Sequence, residues 1–529
     1  MKFKHQIIIF SLFLLAFTLL TACPQRPKDT ITMSLSEKFS GLDTLSSGST
    51  DAAADRIRTL MYNSLVKKNE NFEYVGDLAK NIKVGDDGQT ITFILQENVK
   101  FHNGKVFTSA DAKYTLEALF QAEKSAKAGS FFDSVPDQNA PGGKRKVAHI
   151  EKIETPDANT LVITVIRPAL VNQLLSNLVT IPMIPEGTIE QQKSSPIGTG
   201  AFKFVSFDQV NSNVEFEAFP ECWEGAPKIQ KLRVKTVTDS NALQAELQSG
   251  NVDLAPIPNN LSPDSINNLG QLPNLKVEKF EGSNIDYIGF NTEAAPLNNL
   301  KIRQAIAYAI NREQIIQTIL QGQAKLAHSI IPAESWAYSE GTKYEYNPTK
   351  AKQLLQEAGY KGEVIKFKYA ANNTAISLYG QVIENSLKEI GINVETETLI
   401  PDVLRETLKN GQFQMNTGRW IGGNQDPIFY KDLFASTEFP DKKESGRNRS
   451  RYNNAEFDKS VNDAIDLTST DKAKAKELYI KVQSIISNDL PLFPLWYPSN
   501  IVISSKRVSN VKINASGDWS FVKNVTVNN

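Results

Sequence analysis

Two hydrophobic patterns alternate along the chain. In short runs, apolar and polar residues alternate one by one, and in longer runs apolar residues recur every three or four positions. The first pattern is typical of half-buried strands and the second of amphipathic helices. Because both recur from residue 31 to near residue 510, the pattern predicts mixed α/β domains. Strands are predicted at ITMSLS, TITFILQ and LVITVI and in a hairpin of AFKFVSF and VEFEAF, and helices at TSADAKYTLEALF, SNALQAELQSG, KIRQAIAYAI, TKAKQLLQEAG, AEFDKSVNDAIDL and DKAKAKELYIKVQSIIS.

Helix boundaries carry their own signals. Thr108 and Asp111 form a capping pair before the first helical run, and Gly359 is expected to end a later helix as its C-cap. A long helix is predicted from about Thr374 to Gly391. Residues 121–149 break the rhythm and predict an excursion over the surface.

Length and charge narrow the class of protein. A chain of 529 residues is expected to form two or three domains. The 58 Lys and Arg residues nearly balance the 59 Asp and Glu residues, so no positive field attracts nucleic acid. We therefore expect no nucleic-acid partner.

The N-terminal segment predicts export. Lys2 and Lys4 precede an uncharged apolar run from Ile7 to Leu20, which is shorter than the roughly 20 residues of a membrane-spanning helix. The ending Leu20-Thr21-Ala22-Cys23 resembles a bacterial lipobox. This resemblance implies that residues 1–22 are a signal peptide and that Cys23 is lipidated. Residues 23–29 then form a tether to a periplasmic membrane surface or to the outer face of the cell membrane.

The expected mature chain offers little catalytic chemistry. Apart from the lipidated Cys23, Cys222 is its single cysteine and is expected to be a small buried apolar residue, with a reactive role as the alternative. The histidines lie far apart in sequence, and no dinucleotide, phosphate-loop or serine-nucleophile motif occurs. We predict no metal, no cofactor and no catalytic residue. Binding is favoured over catalysis, although a carboxylate pair of the kind that hydrolases use stays open.

The stretch TGRWIGGNQDP, residues 417–427, places Trp420 between glycines. Gly422 and Gly423 permit a close approach to the main chain or a positive φ, and Trp420 offers a flat apolar face. The alternative interpretation is a tight turn after a strand, with Trp420 in the core. Residues 437–452 form a charged loop with Arg447, Arg449 and Arg451. It is interpreted as solvated, with an arginine that binds a ligand carboxylate as the alternative.

Six blocks, in order, resemble the bacterial extracellular solute-binding proteins of family 5, the oligopeptide, dipeptide and nickel-type receptors of ABC importers. They are RTLMYNSLV, TITFILQENVKFHNGKVFTSADAKYTLE, PIGTGAFKF with CWEGAPKIQKLRVK, LQSGNVDLA, IGFNTEAAPLNNLKIRQAIAYAINREQI and YNPTKAKQLLQEAGY. The resemblance implies a large, two-lobed, type II periplasmic-binding-protein-like fold with mixed sheets and an accessory domain. It assigns residues 30–66, 195–280 and 490–529 to lobe I, residues 67–194 to the accessory domain and residues 281–489 to lobe II.

The resemblance also implies a ligand site between the lobes. Its candidate residues are Ser47, Gly48, Ser49, Trp420, Ile421, Gly422, Gly423, Asn424 and Asp426. SSGST, residues 46–50, resembles a loop that dipeptide-type receptors present to their ligand. The alternative is a helix start capped by serine.

Two departures bear on ligand length. Dipeptide-type receptors hold the ligand's ammonium with an aspartate where this chain has Gly423, and residues 370–387 lack the arginine that such receptors use for the carboxylate. The resemblance therefore implies a monomeric lipoprotein that delivers a peptide, an oligopeptide rather than a dipeptide, to ABC permease subunits. The alternatives are a receptor for a non-peptide solute, an exported carboxylate-dependent hydrolase, and an adhesion or structural lipoprotein.

Overall fold

The computed structural model of the protein describes residues 30–39, 41–48, 51–122, 124–140, 143–371, 373–422, 425–443 and 446–528. The strands are β1 (Thr30–Leu35), β2 (Val66–Lys68), β3 (Tyr74–Gly76), β4 (Ala79–Val84), β5 (Thr90–Leu95), β6 (Phe132–Pro136), β7 (Lys144–Ala148), β8 (Ile150–Asp157), β9 (Thr160–Val165), β10 (Phe202–Asp208), β11 (Asn213–Ala218), β12 (Lys231–Thr236), β13 (Leu254–Pro256), β14 (Leu275–Phe280), β15 (Ile285–Phe290), β16 (Ala324–Leu326), β17 (Ile365–Ala370), β18 (Val394–Leu399), β19 (Met415–Trp420), β20 (Leu492–Pro498), β21 (Asn500–Ser505), β22 (Val508–Ser509) and β23 (Thr526–Val527). The helices are α1 (Ala52–Met61), α2 (Ser109–Gln121), α3 (Leu170–Leu178), α4 (Ser240–Gln248), α5 (Pro263–Gly270), α6 (Leu300–Ala309), α7 (Arg312–Thr318), α8 (Pro348–Ala358), α9 (Thr374–Glu389), α10 (Pro401–Lys409), α11 (Phe429–Phe434), α12 (Ala455–Leu467) and α13 (Lys472–Asp489).

The predicted elements are present where the hydrophobic pattern puts them. The capping box of Thr108 and Asp111 starts α2, and Gly359 ends α8 with a left-handed φ of 68°. Residues 121–149 are more regular than predicted, because β6 and β7 pair there as an antiparallel hairpin anchored by the buried Phe131. In the described part of the chain, no helix combines the length and the apolarity that crossing a bilayer requires.

Two mixed sheets organise the molecule. The first has seven strands in the order β10-β11-β12-β1-β13-β21-β14, and the second has six in the order β16-β20-β15-β19-β17-β18. A four-stranded antiparallel sheet, β4-β5-β9-β8, is formed by residues 79–165. The prediction of an α/β fold with mixed sheets is therefore confirmed.

The buried residues follow these sheets. Phe93 of the four-stranded sheet and Met33 of the first sheet belong to one continuous apolar cluster, so these two sheets share a core. Side chains alternate across a strand. Accordingly, Ile288 packs into a cluster on one face of the second sheet, and Tyr287 packs into a cluster on the other face.

Two short connections join the first and second sheets. Residues 281–284 link β14 to β15, and Ser499 links β20 to β21. The two connections touch, since a Cβ atom on Gly282 would lie 2.0 Å from the carbonyl oxygen of Pro498. Only glycine fits at position 282 without a shift of the neighbouring backbone.

The division into lobe I, accessory domain and lobe II stays a proposal. Within it, we place residues 490–498 with lobe II instead of lobe I, because β20 pairs with β15 and β16 of the second sheet. The chain then passes between the lobes at residues 281–284 and again at Ser499.

Candidate functional site

Trp420 is the last residue of β19, at the end of the second sheet that lies nearest the two connections. Its indole is partly buried and stacks on Tyr287 at a centroid distance of 6.3 Å, and it meets the Phe429 ring edge-on at 5.3 Å. The guanidinium carbon of Arg449 lies 5.4 Å from the indole centroid. Trp420 is therefore held in a fixed orientation while part of its surface stays accessible.

The strand that carries Trp420 is paired unequally on its two sides. On one side, β15 pairs with β19 along its whole length, from Met415 to Trp420. On the other side, β17 pairs only with Met415 and Asn416. We call the β17-facing side of Gly418–Trp420 the open edge, because no described strand pairs with it there. An open edge is where an extended peptide adds to a sheet.

The chain turns away from the sheet directly after the open edge. Ile421 is 49% exposed, and Gly422 adopts a φ of +75° with no atom within 4 Å of the position a Cβ would occupy. The Gly422 amide donates to Asn284 Oδ1 at 3.2 Å, so the turn is tied to the connection between the sheets. The predicted site residues Gly423 and Asn424 lie outside the described residues, as does Ser49.

Exposed apolar side chains surround this end of the second sheet. They come from segments that follow the carboxyl ends of the parallel strands β17, β18 and β19, where open α/β sheets bind their ligands. We call these side chains the apolar rim and treat it as a candidate binding surface, because exposed apolar patches commonly mark interaction sites. Its members are Leu378, Ile400, Val403 and Ile421, which are 37%, 64%, 46% and 49% exposed.

A buried ion pair joins β19, the strand that carries the open edge, to its neighbour β15. Arg419 donates from Nε to Asp286 Oδ1 at 2.6 Å and from Nη2 to Oδ2 at 3.1 Å. The Trp496 indole also donates to Asp286, at 3.0 Å. Burial opposes the charge of Arg419, but Asp286 outweighs it and holds the pKa of the guanidinium above its ordinary value. Sequence reasoning missed this pair, although charged residues inside two strongly apolar strands are a signal for it.

Arg419 also reaches the first sheet. Its Nη1 lies 3.4 Å from Oδ1 of Asn259, a residue in the loop after β13. The two sheets therefore come within hydrogen-bonding distance of each other beside the strand that carries the open edge.

Asp426 has internal partners in the structure. Its carboxylate is 4% exposed and accepts hydrogen bonds from the Tyr74 hydroxyl, from Asn172 Nδ2 at 3.2 Å and from the Ile428 amide at 2.8 Å. Burial and the neighbouring Asp426 raise the pKa of Tyr74. Tyr74 and Asn172 belong to residues 67–194, so Asp426 joins that segment to the second sheet. Its predicted role as a ligand contact stays a prediction.

Ser47 and Gly48 lie in the loop between β1 and α1, against the segment 124–126. The Ser47 carbonyl accepts from the Ala126 amide at 2.9 Å, and Gly48 is exposed. The interpretation of this loop as a serine-capped helix start is wrong, because Asp51 caps α1 by accepting from the amides of Ala53 and Ala54 at 3.0 Å. That Ser47 and Gly48 contact ligand stays a prediction.

Other candidate groups have structural roles. Cys222 is buried, as predicted. His102 accepts the Gly198 amide at Nδ1 at 3.3 Å and donates from Nε2 to the Gly200 carbonyl at 3.0 Å, so both ring nitrogens are engaged by the main chain. No group of three or more His, Cys, Asp or Glu side chains in the described ranges is arranged to hold a metal ion.

Two sheets joined by two short adjoining connections, with an open strand edge beside them, form the architecture of a two-lobed binding protein. Comparison with known proteins gives the family. Residues 73–440 match the bacterial extracellular solute-binding proteins, family 5 Middle, and the chain belongs to this family. The family consists of solute-binding receptors of ABC importers, found outside the cytoplasm, and not of enzymes. The chain is accordingly a substrate-binding protein of an ABC importer.

Individual relatives are similar over most of their length. The heme-binding protein A of Haemophilus influenzae is 29% identical, with 85% of this chain and 83% of the relative covered. The oligopeptide-binding protein AppA of Bacillus subtilis is 28% identical, with 89% and 87% covered. The solved structure of the DppA protein of Helicobacter pylori with the peptide STSA is 25% identical and superposes with a TM-score of 0.74, covering 94% of this chain and 98% of that chain.

Proposed function

We propose that the protein captures an oligopeptide between its lobes and delivers it to the permease of its importer. In this proposal the peptide main chain pairs with the open edge of Gly418–Trp420, and the indole of Trp420 covers part of the bound peptide. Ile421 and Gly422 continue the contact at the turn, and Ser47 and Gly48 contact the peptide from the loop between β1 and α1. Gly423, Asn424 and Ser49, which lie outside the described residues, are proposed as further contacts.

The open edge is the observation that carries this proposal. Three extended residues span roughly 10 Å, which exceeds the main chain of a dipeptide. The apolar rim offers contacts for the peptide's side chains without requiring one particular sequence. This combination favours main-chain recognition of a longer peptide.

The charges near the open edge support tolerance of a blocked amino terminus. Of the acidic residues closest to Trp420 in sequence and sheet pairing, Asp286 is paired with Arg419, and Asp426 is held by Tyr74 and Asn172. Gly423 stands where dipeptide-type receptors are expected to place an aspartate. An anchoring carboxylate for a ligand ammonium is thus missing from the positions where the resemblance places one.

Membrane attachment is part of the same proposal. A lipid chain on Cys23 would hold the monomeric receptor beside its permease, since each buried methylene contributes about 0.8 kcal/mol to anchoring. Residues 23–29 would then act as a flexible tether. This places the receptor in the periplasm or at the outer face of the cell membrane.

The proposal is tested on protein purified without denaturation. Mass spectrometry of the copurified small molecules is expected to find peptides of three or more residues, released chemically unchanged. Calorimetry then compares one recovered peptide with its amino-terminally acetylated form, and we expect a less than about threefold difference in affinity, well below the roughly 10- to 150-fold of a charge-assisted anchor. A porphyrin or metal complex in place of peptide would replace the proposal with the non-peptide alternative, and hydrolysed peptide would point to an enzyme.

A further inference from the structure

The three arginines of the charged loop, residues 437–452, differ in their ion-pair partners. Arg447 lies 3.4 Å from Asp432, and Arg451 pairs with Asp441 and donates to the Lys409 carbonyl at 3.1 Å. The side chain of Arg449 forms no ion pair and no hydrogen bond with another described residue. Among the described residues, Arg447 and Arg451 therefore each have a carboxylate partner at ion-pair distance, and Arg449 has none.

The arginine without an ion-pair partner among the described residues is the one beside the open edge. The Arg449 guanidinium lies over the Trp420 indole and is only partly exposed. Burial, together with the positive charges of Arg447 and Arg405, lowers the pKa of Arg449, and the opposing influence of Tyr287 and Glu406 does not outweigh them. A partly desolvated cation without a counter-ion is costly unless something binds to it.

The geometry points to Arg449 as the residue that binds a carboxylate of the ligand. A guanidinium presents paired N–H donors that match a carboxylate, and it can stack on an aromatic ring while it does so. Stacking on Trp420 holds the guanidinium in place before the ligand arrives, so less conformational entropy is lost on binding. This inference rests on the proposed function and adds that the ligand is acidic at one end or on one side chain.

The carboxylate has two possible sources in a peptide. A free carboxyl terminus would place the end of the peptide at Trp420, whereas an Asp or Glu side chain would place the middle of the peptide there. The carboxylate carries the same charge in both cases, so peptides that contain only one of the two groups are needed to distinguish the carboxyl terminus from an acidic side chain.

Three synthetic tetrapeptide libraries provide the probes. The first has free carboxyl termini and lacks Asp and Glu, the second has amidated termini and lacks Asp and Glu, and the third has amidated termini with one Glu. Bound peptides are quantified by mass spectrometry after equilibrium dialysis with wild-type protein, Arg449→Gln, Arg449→Lys and the matched control Arg447→Gln. All four proteins are first compared by urea unfolding.

We expect wild-type protein to prefer the first or third library over the second by about 10- to 100-fold, as a charge-assisted hydrogen bond provides. Arg449→Gln should lose that preference, Arg449→Lys should keep part of it, and Arg447→Gln should keep all of it. A preference for the first library identifies the carboxyl terminus, and a preference for the third identifies an acidic side chain.

Other outcomes separate the two claims. Equal binding of all three libraries by wild-type protein overturns the inference and leaves the peptide receptor standing, and this comparison needs no variant. An undiminished preference in a folded Arg449→Gln variant also overturns it. If wild-type protein freed of ligand binds none of the libraries, the proposed function fails as well.

Discussion

Arg419 and Asp286 face each other across β19 and β15 and form a buried two-point ion pair, with the Trp496 indole as a second partner of the carboxylate. Both side chains belong to the sheet that carries the open edge. Removing one partner would leave the other charge buried and alone. The pair therefore holds the end of β19 in register with β15.

We expect Asp286→Asn to lower the free energy of unfolding by about 3 to 5 kcal/mol, because the Arg419 charge would lose its counter-ion in a buried site. Urea unfolding measures the change. Asp463→Asn is a suitable control, since Asp463 pairs with Lys459 on an exposed helix surface where ion pairs contribute roughly 0 to 1 kcal/mol. Equal, small changes in both variants would contradict a structural role for the pair.

Trp420→Ala should weaken binding of the copurified ligand by about 1 to 3 kcal/mol and leave the protein folded, because the indole is only partly buried. Trp420→Phe should retain most of the affinity. Calorimetry and far-ultraviolet circular dichroism test the two parts. If Trp420→Ala unfolds, the indole's packing on Tyr287 and Phe429 is its main role, and the core interpretation is right.

The stability of the protein should fall as the pH drops from about 6.5 to about 4. Burial lowers the pKa of His102 to about 4, so the unfolded chain takes up a proton at a pH where the folded site does not. A proton on Nδ1 would also break the hydrogen bond from the Gly198 amide. This site accounts for on the order of 3 kcal/mol at most. Urea unfolding between pH 7 and 4 should show a shallower pH dependence for His102→Gln, and identical slopes would rule the site out.

Gly282→Ala should destabilise the junction between the sheets by about 1 to 3 kcal/mol, as overpacking does, because its Cβ would meet the Pro498 carbonyl oxygen. It should also weaken ligand binding if the connections bend when the cleft closes. Gly129→Ala is the control, since no atom lies within 4 Å of the Cβ position there. A Gly282→Ala variant as stable as Gly129→Ala would mean that the connections adjust freely.

Cys23→Ser should release the protein from membranes without changing its fold, because attachment is proposed to rest on lipid chains. Membrane fractionation followed by urea unfolding of the soluble fraction measures both effects. A variant that stays entirely in the membrane pellet would show that the apolar run at residues 7–20 is retained as an anchor.

The sequence by itself determined the α/β class, the element boundaries and the family resemblance. These properties depend on local patterns such as the alternation in TITFILQ, the capping pair Thr108 and Asp111, and the C-cap Gly359. Each of these patterns involves only residues that are close together in the sequence. The sequence also identified Trp420 as a candidate ligand-binding residue. Local sequence patterns can locate the end of a strand, and Trp420 is the last residue of β19.

Only the tertiary structure decided what surrounds Trp420. The open edge exists because β17 leaves β19 after Asn416, and the pairing of Arg419 with Asp286 joins residues 133 positions apart. Likewise, the choice of Arg449 among three loop arginines depended on where Asp432 and Asp441 lie. Such relations arise from long-range packing, which places groups distant in sequence within hydrogen-bonding reach, and no local pattern encodes them.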